Sequence, residues 1–326
     1  MIPLNKIKLG FMPTPVGILE SFSEMLGGPE IWIKRDDLTG LALGGNKTRK
    51  LEYILCDALA NAADTIVTAG AVQSNHCRQT AAAAAQLGLE CHLVLGGNEP
   101  ENISGNLLLD RMLGAKIHWA GSNRKGEDIP EIVSQLRQQG KNPYIVPYGG
   151  SNEFGALGFA SALFELDQQM DTSKLSHIVF ASSSGGTQAG LMLGKALLHK
   201  SYTIHGINID KDMSCKSKSF AQIIADLANS TSEKIQAGKR FELNDVTLDS
   251  NYVGAGYGVV GDKEIEAISM LARQEGILLD PVYTARAMGG LIDMIKTGYF
   301  SKHDRVLFWH TGGAPSLFSY ARELLS

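Results

Sequence analysis

Two hydrophobic periods alternate along this chain, and that alternation restricts its fold more than any other feature. Short β-branched or apolar runs occur at Ile31–Ile33, TIVTAG from Thr65, CHLVL from Cys91, KIHWA from Lys116, YIVPY from Tyr144, HIVFAS from His177, IHGINI from Ile204 and RVLFWH from Arg305. Between them lie stretches of helical period, including Lys47–Leu59, His76–Leu87, Gly155–Gln169, Thr187–Leu198, Lys263–Gln274 and Ala285–Lys296. Strands alternating with helices predict βαβ units and an α/β fold of doubly wound, mostly parallel sheets, whose ligands gather at the carboxyl ends of the strands. Ser230–Gly261 is the least regular stretch and predicts a long loop with a short strand at most, forming a lid or one wall of a site.

Glycine numbers 36 of 326 residues, above the usual share, and much of the excess falls at these strand ends and in loops. The groups are Gly44–Gly45, Gly149–Gly150, Gly185–Gly186, Gly254–Gly258 and Gly312–Gly313. Such positions suit tight turns and close approach of backbone to a ligand.

Composition excludes several classes of function. The net charge of −4, with no long run of Lys or Arg, argues against a nucleic-acid partner. The start MIPLNKIKLGFMPTP has no signal-peptide core, and no apolar run reaches the roughly 18 residues that suggest a membrane span, so a soluble cytoplasmic protein is expected. Cys56, Cys77, Cys91 and Cys215 are scattered without a CxxC pair, so neither a disulfide framework nor a metal site is expected.

Five segments carry candidate chemistry. In GGNK, Lys47 follows Gly44, Gly45 and Asn46 and opens a helix. A cation there faces the positive end of the dipole, so its pKa must fall or its amine must be used covalently, which makes Lys47 a Schiff-base candidate. The plainer alternative is a solvated lysine in a basic first turn with Arg49 and Lys50. In QSNH, Ser74 and Asn75 suit a helix N-cap, and the same turn aims donors at a carboxylate; His76 after them reads equally well as a hydrogen-bonded helix residue.

SSSGGTQAG follows the strand HIVFA, and Ser184, Gly185, Gly186 and Thr187 there form a nest of N–H and hydroxyl groups at a helix start. It matches neither GxGxxG nor the Walker pattern, so a single phosphate fits better than a dinucleotide or a triphosphate. DPVYT places Tyr283 and Thr284 before a helix, and HTGG closes the last strand with Thr311. Alone, Tyr283, Thr311 and Tyr257 of GAGYG read equally well as packing and turn residues.

Together and in this order, the five segments resemble the pyridoxal-phosphate (PLP) enzymes of the tryptophan synthase β-subunit fold, fold type II. Within these, the match is to the D-cysteine desulfhydrase and 1-aminocyclopropane-1-carboxylate (ACC) deaminase family, from Pro13 to the final helix. The resemblance implies PLP as cofactor, Lys47 as the Schiff-base lysine, Asn46 at the phenolate oxygen, and Ser184, Gly185, Gly186 and Thr187 around the phosphate. It implies Ser74, Asn75 and His76 at the substrate carboxylate, with Ser74 also a proton-transfer candidate, Tyr257 and Tyr283 as active-site tyrosines and Thr311 near the pyridine nitrogen.

It also implies a large cofactor domain of residues 1–46 and 157–326, a small domain of 47–156, and a homodimer. ACC deaminases resemble this chain except for a glutamate where Thr284 stands. A carboxylate would keep the pyridine nitrogen protonated, whereas the hydroxyls of Thr284 or Thr311 would not. That difference points to β-elimination, and so to a carbon–sulfur lyase converting D-cysteine to pyruvate, ammonia and hydrogen sulfide. ACC deamination and elimination from L-cysteate remain open on the same scaffold, as does PLP binding without turnover.

Overall fold

The computed structural model describes residues 4–210 and 218–325; Cys215 lies outside them. The chain begins with β1 (Val16–Ile18), α1 (Glu20–Leu26) and β2 (Glu30–Arg35). It continues through α2 (Lys47–Ala60), β3 (Thr65–Ala71), α3 (Asn75–Gln86), β4 (Glu90–Gly96), α4 (Gly105–Met112), β5 (Lys116–Trp119), α5 (Ile129–Gln138) and β6 (Pro143–Ile145). Then come α6 (Glu153–Gln169), β7 (His177–Ser182), α7 (Gly186–Leu197), β8 (Thr203–Asn208), α8 (Phe220–Lys234) and β9 (Thr247–Asp249). The chain closes with α9 (Asp262–Glu275), α10 (Thr284–Lys296), β10 (Arg305–His310) and α11 (Ala321–Leu325).

Two sheets result: a six-stranded one ordered β1-β2-β10-β7-β8-β9 and a four-stranded one ordered β5-β4-β3-β6. Among the described strands every ladder is parallel except the edge pair β1–β2, and Gly97 and Gly121 add an isolated antiparallel bridge. The period-2 alternation of a strand sorts the core into layers. Ile178, Phe180, Leu307 and Trp309 face α6 and α7, whereas Val179, Val306 and Phe308 face α9 and α10. In the smaller sheet Ile66, Leu93 and Leu95 pack on α2 and α3, and Val67, Ala69 and Val94 on α5. Burial on both faces explains why these strands read as continuous apolar runs rather than as polar–apolar alternation.

Several boundaries differ from the sequence reading. β3 runs to Ala71, so the turn into α3 holds only Val72, Gln73 and Ser74. The YIVPY run stops being strand at Ile145 because Pro147 leads into a 3₁₀ turn over Tyr148–Gly150. α8 extends to Lys234 and takes in the start of the stretch expected to be loop. α6 is unbroken across residues 156 and 157, so a domain edge drawn there would cut a helix.

The basic first turn of α2 is not solvated. Arg49 donates to both carboxylate oxygens of Asp36 (2.9 and 2.8 Å) and to Glu165 (2.8 and 2.9 Å), and Glu165 also takes Lys34 at 2.6 Å. Trp309 Nε1 adds a 2.8 Å bond to Asp36, so one buried carboxylate joins α2 to β10.

Candidate active site

A cleft opens at the carboxyl ends of strands from both sheets. Its walls include Asn46 and Lys47, the Ser74–His76 turn, Tyr148 and Gly149, the Ser182–Gly185 turn with Thr187, and Tyr283 and Thr311. Six segments far apart in sequence thus border one space.

Lys47 is the first residue of α2 and enters from a stretch of left-handed backbone: Ala42, Leu43, Gly44 and Gly45 have φ of 42°, 66°, 71° and 132°. Each non-glycine residue in that region costs about 1 kcal/mol or more, and the surroundings must hold it. Here Gly45 N–H donates to Thr39 Oγ1 (2.7 Å), which donates back to Gly45 O (2.9 Å), while Arg78 donates to Gly44 O at 2.6 Å. The Lys47 amine meets the cleft, and desolvation lowers its pKa to about 8 against the opposing pull of the Asp280 carboxylate. Asn46 donates its N–H to Thr311 O (2.9 Å) and its Nδ2 to Thr187 Oγ1 (3.3 Å), spanning two cleft segments beside the amine.

At the start of α7, Gly185 takes φ +84° and no side chain caps the helix. A Cβ on Gly186 would come within 2.6 Å of Ser151 Oγ and 3.0 Å of Lys50 Nζ. Ser151 Oγ accepts the Gly186 N–H (3.1 Å) and meets Ser184 Oγ at 2.7 Å, and Lys50 donates to Gly149 O at 3.0 Å. Buried Lys50 thus sits just behind the nest, its pKa driven down by desolvation and by Lys47. Lys50, Ser151 and Tyr148 did not stand out in the sequence. Lys50 carried a signal, one helical turn after Lys47 on the same face, that its basic neighbours obscured.

At α3 the arrangement differs, because Ser74 Oγ caps the helix by accepting the Cys77 N–H (3.2 Å). The N–H groups of Asn75 and His76, at the first two helical positions, have no intrahelical acceptor. Thr68 Oγ1 gives its hydrogen to Val146 O (2.7 Å) and so accepts from His76 Nε2 (2.8 Å). This hydrogen-bond pattern assigns the proton to Nε2 and leaves Nδ1, buried and without a hydrogen-bond partner, as an acceptor. Burial holds His76 neutral, its pKa well below the ordinary range.

Tyr283 lines the cleft, and its hydroxyl meets that of Tyr257 at 2.5 Å; Tyr257 stands behind it, with the Arg124 guanidinium 4.4 Å from its ring centre. Burial raises both phenols well above their ordinary range, so both are neutral donors.

The structure departs from the sequence reading at Thr284. Its hydroxyl donates to Asp280 Oδ1 (2.8 Å) and accepts the Asp280 N–H (2.7 Å), and it does not line the cleft. Asp280 also accepts the N–H groups of Val282, Tyr283 and Thr284, so the start of α10 consumes the threonine. Thr311, in contrast, does border the cleft.

This geometry fits PLP on three counts. An uncapped helix start with glycines and a buried lysine behind it suits a phosphate. An amine of depressed pKa lies in the same space. Ser183 Oγ, in the cleft wall, is buried without a hydrogen-bond partner.

Comparison with known proteins agrees. A D-cysteine desulfhydrase of Klebsiella pneumoniae (strain 342) is 41% identical, over 98% of this chain and 97% of its own length. A solved structure described as an ACC deaminase homologue superposes with a TM-score of 0.90 at 36% identity, covering 99% of this chain and 96% of that one. Threonine deaminase isoform 2 from Solanum lycopersicum shares the fold, with a TM-score of 0.68 at 17% identity over 98% of this chain and 88% of its own. The model of the family "pyridoxal-phosphate dependent enzyme" matches residues 7–312, which takes in all of the cleft segments, and the chain belongs to that family as a fold type II member of its D-cysteine desulfhydrase and ACC deaminase branch.

Proposed function

We propose that this enzyme is a D-cysteine desulfhydrase, converting D-cysteine and water to pyruvate, ammonia and hydrogen sulfide. The observation that carries the substrate is the 41% identity to a protein of that name along nearly the whole of both chains. Lys47 would hold PLP through its amine, with Asn46 beside it, Ser184–Thr187 and Lys50 around the phosphate and Thr311 at the ring. When bound, PLP supplies an electron sink for the charge that develops at the substrate α-carbon.

The chain's own residues then divide the work. The N–H groups of Asn75 and His76 and the Asn75 amide bind the substrate carboxylate; the His76 ring, whose Nδ1 offers only a lone pair, does not, and His76 acts there through its backbone alone. Lys47 Nζ takes the α-proton, with the Ser74 hydroxyl within the same wall for proton transfer. The Cβ–S bond breaks with its electron pair leaving on sulfur, and Tyr283, backed by Tyr257, donates the proton that lets the thiol depart. The enamine product hydrolyses in water to pyruvate and ammonia. Thr284 enters the selectivity only indirectly: a glutamate there would press a second carboxylate onto buried Asp280, a costly pair.

The test is a parallel assay of D-cysteine, L-cysteate and ACC for pyruvate and sulfide. D-cysteine should be turned over best; pyruvate from ACC with none from D-cysteine would reverse the assignment. The homodimer that the family resemblance implies is checked by light scattering of the purified protein, where a monomer mass would remove it.

A further inference from the structure

The α3 turn presents its donors to the cleft in one orientation, and a buried chain of hydrogen bonds fixes which way they point. Asn75 Oδ1 accepts from Asn106 Nδ2 at 2.8 Å. Asn106, on α4, is fully buried; its Nδ2 also reaches Gln73 O at 2.8 Å, and its backbone N–H reaches Gln73 Oε1 at 2.8 Å. Its other amide atom, Oδ1, accepts from Arg78 Nη1 at 3.0 Å.

The guanidinium of Arg78 has donors and no acceptor, so Asn106 must turn Oδ1 toward it. The opposite end of that amide is then a donor, which obliges Asn75 to turn its own Oδ1 toward Asn106. What remains of Asn75 is Nδ2, on the side of Gly313, where a Cβ would lie 2.5 Å away. We propose that Asn106, locked by Arg78, is a positioning residue that makes Asn75 present a hydrogen-bond donor, rather than an acceptor, to the carboxylate of the amino-acid substrate. This rests on the reading of the α3 turn as the carboxylate site. It also assigns Arg78 a double duty, since its Nη2 holds Gly44 O in the loop before Lys47.

The decisive substitution is Asn106→Asp. It keeps the size of the side chain and its bond to Arg78 but places an acceptor opposite Asn75, so Asn75 turns over and offers its oxygen to the substrate carboxylate. Binding is read from the change in visible absorption of the PLP-loaded enzyme with glycine, which has a carboxylate but no leaving group, and with methylamine, which has neither.

N106D should raise the Kd of glycine at least tenfold and leave that of methylamine unchanged. In the N106D background Asn75→Ala should restore part of the glycine affinity, because it removes the misdirected oxygen, whereas N75A in the native background should weaken glycine. Unchanged glycine binding in N106D, or equal weakening of both amines, overturns the positioning role while the native-background N75A result leaves the carboxylate site standing. If N75A alone leaves glycine binding intact, the carboxylate reading fails and the positioning role falls with it. Should N106D not fold, Asn106→Leu frees Asn75 without inverting it, and a several-fold loss for glycine alone is expected; no loss overturns the proposal.

Discussion

The helices α3 and α7 begin in the same way, at the carboxyl end of a parallel strand facing one cleft, yet they are built from opposite materials. α7 opens with glycines, carries no side-chain cap, and has Lys50 packed behind it. α3 opens with a capped turn whose polar side chains are each committed to a neighbour: Ser74 to Cys77, Asn75 to Asn106 and His76 to Thr68. A permanent ligand with spread charge is best met by backbone N–H groups that need no rotamer. A substrate that arrives and leaves in each cycle needs side chains whose direction is settled beforehand, because ordering them on binding would cost affinity.

The contrast can be broken most severely at the group both termini serve. Lys47→Ala should lower turnover by about 10²–10⁴-fold or more while circular dichroism stays native, and activity surviving that change would undo the assignment of the amine. Next in size is Gly186→Ala, whose Cβ would crowd Ser151 and Lys50. Loss of charge-assisted bonds worth about 1.5–3 kcal/mol should weaken PLP about 10- to 100-fold, measured by titrating stripped protein. The KM for amino acid, taken at saturating PLP, should not move; a change there would mean that the two termini are not separate in function.

A smaller effect concerns acidity. Only the neutral amine can capture PLP, and because the pKa of Lys47 lies at about 8 rather than at the ordinary 10.5, capture by the stripped protein should climb with pH and level off above pH 8. From pH 7 to pH 9 the rise should be about tenfold, and a rate still climbing steeply at pH 9.5 would contradict a depressed pKa. The mildest change is Ser74→Ala, which removes a cap and should cost about 1 kcal/mol of stability by denaturant melt, with PLP affinity kept. If Ser74→Ala instead releases PLP, the division of labour between α3 and α7 is wrong.

Much of this was legible in the sequence, for reasons that can be named. A strand buried on both faces must be apolar throughout, so TIVTAG and RVLFWH announced themselves, and a glycine pair at a strand end marked α7. Residues tied to the cleft through space alone were not legible. Nothing local separates Asn106 or Ser151 from an ordinary loop or helix residue, and Lys50 looked like surface charge until the fold packed Gly149 and Ser151 around it. Thr284 shows the opposite failure: its place beside Tyr283 suggested a hydroxyl for the ring, but the strong local demand of Asp280 at the start of α10 claimed it first. β1, three residues long, was too short to carry a period.

Asp36 lies outside the cleft, with Arg49 of α2 and Trp309 of β10 on the same buried carboxylate and Thr14 Oγ1 at 3.0 Å. Arg49 is two residues beyond Lys47, and Trp309 two residues before Thr311. The amine and the hydroxyl therefore share a fixed point in the buried interior, in addition to the direct Asn46 N–H bond to Thr311 O beside the amine. Such alignment survives warming until the anchor itself fails, and failure there is abrupt, since stranding one partner of a buried ion pair costs about 3–5 kcal/mol. The enzyme's tolerance to heat and its catalytic alignment should be lost in a single step, with no range of temperature in which a folded protein holds its cofactor out of register.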